Sequence, residues 1–247
     1  MDLHLTGKRA IVTGGAGGIG LPIAHALAAE GVDLVLAGRT AETLEKAAAE
    51  VAERSGRSAY AVVADVRDDG AVRALVARTV ELLGGVDILV NSASDQSVGR
   101  HMPDLAATSD DVFWDDVDTK LVGYLRTARA VAPHLVAQGW GRIVNLGGTG
   151  ARETRSIVRT IRNAGVTGLT ANLAEELGPH GVNVTVVHPG PTRTGPDGFQ
   201  TADTRIGRIV EASEVADVVA FLVSPRSVAI NGDGVTVGGG TPGVVHY

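Results

Sequence analysis

Cysteine is absent from this 247-residue chain, which excludes disulfides and thiolate metal sites. Lysine is nearly absent: Lys8, Lys46 and Lys120 are the only three, although arginine is plentiful. No apolar run approaches the roughly 18 residues of a membrane-crossing helix. The seven histidines show no metal-ligand spacing, so no metal is expected. Positive charge is not in excess, and a formal net charge of −6 argues against a nucleic-acid partner. The first strand-like run begins at Lys8, which leaves no room for a cleavable signal; a soluble, cytoplasmic protein without a membrane partner is expected. No proline- or serine-rich linker divides the chain, so residues 1–247 are expected to form one domain.

What the chain does contain is a regular alternation of short β-branched runs with helical patterns, the mark of βαβ units around a parallel sheet. Strands are predicted at 9–13, 32–37, 59–64, 86–91, 141–146, 182–187 and 234–237. Apolar residues at helical spacing cover 18–30, a stretch following Thr40, then 68–83, 110–138, 156–178 and 213–223. Thr40 and Ser213 stand where N-caps are expected. The expected architecture is α/β: a doubly wound parallel sheet of about seven strands with helices on both faces and ligands at the carboxyl ends of the strands.

The first strand runs directly into TGGAGGIG, residues 13–20, and then into a helix. Glycines here let the backbone turn tightly and approach a pyrophosphate seated on the positive helix N-terminus. At the end of the second strand an acid would hold the 2′-hydroxyl of NAD, whereas arginine suits a 2′-phosphate. The sequence there is LAGRT, with Gly38 followed by Arg39. A guanidinium pairs with phosphate in bidentate fashion, so NADP(H) is favoured over NAD(H).

These features closely resemble the short-chain dehydrogenase/reductase family, and the resemblance extends over essentially the whole chain. It implies a Rossmann fold and a dinucleotide cofactor. TGGAGGIG is similar to the family's TGxxxGxG loop, with Gly14, Gly18 and Gly20 in the glycine positions and Ile19 between them. ADV at 64–66 resembles the adenine-contacting segment and points to Asp65 and Val66. NSAS at 91–94 stands where Asn-Asn-Ala-Gly is usual; Asn91 and Ala93 match, whereas Ser92 and Ser94 depart. HPGPTRT at 188–194 looks like the segment lining the nicotinamide, which implicates Pro189, Gly190, Thr192 and Thr194. Homodimers or homotetramers built on two long helices are implied in the same way.

The family's catalytic residues are an asparagine, a serine, a tyrosine and a lysine. Hydride delivery to a carbonyl needs a donor for the developing alkoxide. The family spacing puts Arg159 at the tyrosine position, Asn163 at the lysine, Gly148 beside Thr149 at the serine, and Lys120 at the asparagine. Sliding the register cannot restore the pair. No tyrosine lies between Tyr124 and Tyr247, and no lysine follows Lys120. A subset of the family carries a similar Lys-Leu-x-Gly segment with asparagine in place of the usual lysine.

What stands there instead is polar and basic. Arg152, Arg155, Arg159 and Arg162 are spaced three, four and three apart, so those within the helix share a face. Arginine is a poor acid–base catalyst, with a pKa above about 12, and a good anion clamp. An anionic small-molecule substrate is a natural fit. If Lys120 faces the nicotinamide pocket, desolvation and nearby arginines lower its pKa, the route to a catalytic lysine. His188 and the aromatic residues Phe113, Trp114 and Tyr124 read as packing, and Glu153 as a possible base near the site. The leading expectation is an NADP(H)-dependent oxidoreductase whose proton donor is Lys120 or a water ordered by Arg159, acting on an activated carbonyl, enone or imine. The alternatives are a redox-neutral lyase, isomerase or cyclase in the same pocket, and a cofactor-binding subunit without turnover.

Overall fold

The computed structural model describes residues 1–94, 104–154, 156–195, 199–240 and 242. Chain order gives β1 (Arg9–Thr13), α1 (Gly20–Ala29), β2 (Asp33–Gly38), α2 (Ala41–Ser55), β3 (Ala59–Val63), α3 (Asp69–Leu83) and β4 (Ile88–Asn91). Then come α4 (Asp110–Val117), a π-helical turn (Asp118–Val122), α5 (Gly123–Gln138), β5 (Gly141–Leu146) and a 3₁₀ turn (Thr149–Arg152). The last third holds α6 (Ile157–Leu177), β6 (Val182–Pro189), the short pair β7 (Thr192–Arg193) and β8 (Val210–Glu211), α7 (Ala212–Leu222) and β9 (Gly234–Val237).

Seven strands form one parallel sheet in the order β3-β2-β1-β4-β5-β6-β9. Their period-two alternation sends side chains to opposite faces, and each face is covered by helices. Leu34 and Leu36 pack with Ile23, Leu27, Leu44 and Val215 from α1, α2 and α7. Val35 and Ala37 face Leu75, Val131, Leu135 and Leu177 from α3, α5 and α6. Burying each such aliphatic side chain contributes about 1.5–3 kcal/mol before the chain entropy that opposes it. Chain direction across the sheet reverses between β1 and β4, and a crevice opens there beyond the carboxyl ends of the strands.

Three local details differ from the sequence reading. The span 110–138 is not one regular helix, because the π turn at 118–122 interrupts it. Ser213 does not cap α7; Glu211 does, in a reciprocal capping box with Glu214, since a carboxylate at each end satisfies two otherwise orphaned N–H groups. Thr40 occupies the N-cap position of α2, yet its side chain makes no capping hydrogen bond.

Candidate active site

The cleft at the β1–β4 crevice has a volume of about 690 Å³, and the glycine-rich loop forms one wall. Gly14 has φ +66°, and a Cβ there would come within 3.0 Å of Ala93 Cα and Ser92 O. At Gly20 a Cβ would lie 2.2 Å from Gly14 O. The loop can therefore close onto β4 only with glycine at both places. Thr13 Oγ1 secures the same junction by accepting from the Ser92 and Ala93 N–H groups at 3.1 and 3.2 Å. The helix that follows has no side-chain cap and no acid in its first turn, which leaves its N-terminus to an anion. These residues fit a dinucleotide pyrophosphate.

Gly14, Gly18, Ile19, Arg39, Asp65, Val66, Ala93, Pro189 and Thr194 all line the cleft. Asp65 is held by Arg67, which donates through Nη2 at 2.8 Å and pulls the carboxyl below its ordinary range, with Arg39 adding to the field. Arg39 is exposed on the rim beside the uncapped start of α2. Four further residues stand behind the wall rather than on it. Gly20 closes the loop. Asn91 is fully buried, donating to Asn145 Oδ1 at 2.9 Å and accepting from Thr127 at 2.7 Å. Gly190 lets its backbone meet Gly238, where a Cβ would sit 2.7 Å from Gly238 Cα. Thr192 is buried and donates to Gly190 O at 2.9 Å.

Lys120 projects from the π turn into this cleft, buried to 6% exposure. The wider turn sits close to its neighbours because glycines face it. A Cβ on Gly165 of α6 would lie 2.6 Å from Leu121, and one on Gly123 would lie 2.8 Å from Val66. Lys120 Nζ donates to Gly147 O at the end of β5, 2.7 Å away. Among the described residues no carboxylate pairs with it. Burial first and Arg162 second push the amine well below its ordinary 10.5; Asp116 opposes them, and Arg159 adds a smaller push.

One turn on, Tyr124 donates its hydroxyl to Leu146 O at 3.2 Å, and burial raises its pKa. A phenol so held has no free proton for a substrate. His188 is likewise a buried packing residue: its Nδ1 sits 3.3 Å from Gly148 N, and its pKa is lowered mainly by burial.

The arginines do not form a single wall. Arg162 turns inward to a buried ion pair with Asp116, a partner 46 residues away that no local pattern announces. Arg152 is exposed, Arg159 is half-buried, and Arg155 lies outside the described residues. Asn163 is buried on α6, and its Oδ1 accepts no hydrogen bond among the described residues. Its amide approaches Gly148, where a Cβ would lie 3.1 Å from Nδ2. Thr149 is partly buried at the start of the 3₁₀ turn. Thr149, Arg159 and Asn163 border the β5 end of the site without lining the cleft itself. Glu153 follows that turn and contributes its carbonyl as an acceptor for Thr160. The described residues hold no metal-ligand cluster and no helix long and apolar enough to cross a membrane.

A parallel sheet with this order, a glycine-built anion cradle and a crevice at the reversal point together define a dinucleotide-binding enzyme of the doubly wound class. The chain belongs to the short-chain dehydrogenase/reductase family, whose members are NAD(P)-dependent oxidoreductases: the family model described as short chain dehydrogenase matches residues 8–204. It is 36% identical over 251 residues to the short-chain reductase protein NovJ of Streptomyces niveus, covering 94% of this chain and 93% of that one. A short chain dehydrogenase from Burkholderia cenocepacia, solved with NADP, is 36% identical with a TM-score of 0.86, covering 96% and 98%. L-sorbose reductase from Gluconobacter frateurii, solved with NADPH and L-sorbose, has a TM-score of 0.91 at 26% identity, covering 99% and 100%.

Proposed function

We propose that this chain is an NADP(H)-dependent reductase of a small-molecule activated carbonyl, enone or imine, with Lys120 as the proton donor. The observation that carries this reading is the placement of Lys120 Nζ in the dinucleotide cleft, anchored at 2.7 Å on Gly147 O and free of any carboxylate partner among the described residues. A bound dihydronicotinamide would supply the hydride. Lys120, protonated, would give its proton to the substrate atom where negative charge develops; a lysine held below its ordinary range parts with that proton more readily. Arg159 keeps its proton under all ordinary conditions, and its part is to orient water or an anionic group of the substrate. Thr149 offers a hydroxyl where Gly148 has none, and Asn163 Oδ1 an acceptor for a ribose or substrate hydroxyl. Activated substrates are favoured because less alkoxide charge must be quenched at once.

The preference for NADP(H) rests on Arg39 at the mouth of α2, with Gly38 in place of an acid. A 2′-phosphate there would meet both a guanidinium and free helix N–H groups. A homo-oligomer is part of the same proposal, since Ile157 and Ile161 of α6 and Leu125 of α5 are 43%, 48% and 39% exposed on the long helices. Screening a panel of enones, imines and ketones for NADPH consumption tests the activity. Consumption lost in Lys120→Met supports the reading, and consumption unaffected by that change sinks it.

A further inference from the structure

Lys120 also meets the requirements of a different chemistry. The other two lysines stand elsewhere: Lys8 lies over the Trp140 ring at 3.8 Å, and Lys46 is on α2. Neither lines the cleft that Lys120 enters. Among the described residues Lys120 Nζ makes one hydrogen bond, to Gly147 O, which uses one N–H and leaves the lone pair of the neutral amine unused. The charged groups around the amine are Arg162 with its partner Asp116, Arg159 on the same helix, and His188 behind the Gly147–Gly148 backbone. Deep burial, then Arg162, oppose an ammonium here; Asp116 pulls the other way and Arg159 adds a smaller push, so the share of neutral amine is raised above that of an ordinary lysine. A desolvated lysine next to other cations is the arrangement that makes this side chain a nucleophile toward carbonyl carbon.

We propose that Lys120 is a nucleophilic amine that condenses with a β-keto acid in the cleft, giving the chain a decarboxylase activity that consumes no cofactor. The Nζ lone pair forms the C–N bond to the keto carbon. The carbonyl oxygen leaves as water, and with one proton from solvent the product is an iminium. The bond to the carboxylate then breaks, its electron pair moves into the iminium to give an enamine, and CO₂ leaves. The enamine carbon takes the next proton, and water hydrolyses the imine to return the amine and a ketone. The net change is one β-keto carboxylate plus one proton giving one ketone and CO₂, with no electrons gained or lost. Arg159, half-buried near the start of α6 where it borders the β5 end of the site, supplies attraction for the carboxylate.

The test uses 2,4-pentanedione and acetoacetate on the full chain without nucleotide. The diketone should add to Lys120 with loss of one water, read as a single enaminone adduct by peptide mass mapping, at least about tenfold faster than at Lys8 or Lys46. Labelling should accelerate as pH rises and the amine loses its proton. Acetoacetate should release CO₂, and Lys120→Arg should abolish that release. The labelled position is read on the unmodified protein, so the outcome does not depend on how the variant folds. Adducts spread evenly over the three lysines, or a Lys120 adduct without acetoacetate decarboxylation, overturn the proposal. NADPH consumption plays no part in either readout, so a failure here is distinct from a failure of the reductase reading.

Discussion

At the scale of single residues, Lys120 has an energetic signature apart from catalysis. Its amine ionises well below 10.5 in the folded chain and at about 10.4 when unfolded. Between those two values the unfolded state binds one more proton than the native state. Stability should therefore rise with pH across that window, by about 1.4 kcal/mol per pH unit. Thermal melts of wild type and Lys120→Met at pH values stepping down from 10 should show this extra slope in the wild type alone, the variant gaining relative stability as pH falls. Equal slopes would place the amine at an ordinary pKa. The buried Asp116–Arg162 pair makes the complementary case. Asp116→Asn leaves a guanidinium uncompensated and should cost about 3–5 kcal/mol in denaturant unfolding. Lys120 was legible from composition, because counting lysines and tyrosines does not depend on any register. Asp116 was not, since its partner lies on another helix and acid residues crowd the whole 110–118 stretch.

At the scale of elements, the glycine loop separates steric need from mere permissiveness. Gly20→Ala would drive a Cβ against Gly14 O, whereas a Cβ on Gly17 meets nothing within 4 Å. Gly20→Ala should cost about 1–3 kcal/mol, an overpacking penalty, and weaken NADPH binding markedly in a fluorescence titration. Gly17→Ala should change stability by less than about 0.5 kcal/mol. Strands and helices were readable because period two and period 3.6 leave different apolar patterns. The π turn was not, because one widened turn leaves the pattern on either side almost intact. Lys120 stands on that turn and reaches Gly147 O just past β5, so the least legible element is the one that carries the catalytic candidate. The α7 cap falls elsewhere than expected: Ser213 is a strong capping type, but the N-cap lies two residues earlier, at Glu211, which forms a reciprocal box with Glu214.

For the whole molecule, the parallel doubly wound sheet followed from βαβ alternation, and residues of the segments singled out by the family resemblance line the crevice or stand behind it. The arginine series was the less accurate inference. Helical spacing placed Arg159 and Arg162 on one face, but packing sends Arg162 to Asp116 and leaves Arg159 half-buried. The exposed Ile157 and Ile161 belong to this scale too. Ile161→Glu should shift the protein to a smaller species in sedimentation velocity, whereas an unchanged sedimentation coefficient would remove the long-helix face from the assembly. Arg39→Ala should weaken NADPH at least about tenfold while leaving NADH within about twofold, since a charged phosphate contact is lost and no ribose contact is touched.

The pH dependence of NADPH-coupled reduction in wild type and Lys120→Met shows whether Lys120 supplies the proton in a dinucleotide cleft without the tyrosine–lysine pair. A proton donor at Lys120 gives a wild-type rate that falls as pH rises through the lowered lysine pKa, and a variant slower by about 10²–10⁴-fold with NADPH affinity retained. A variant with the wild-type rate and the same pH profile would contradict it.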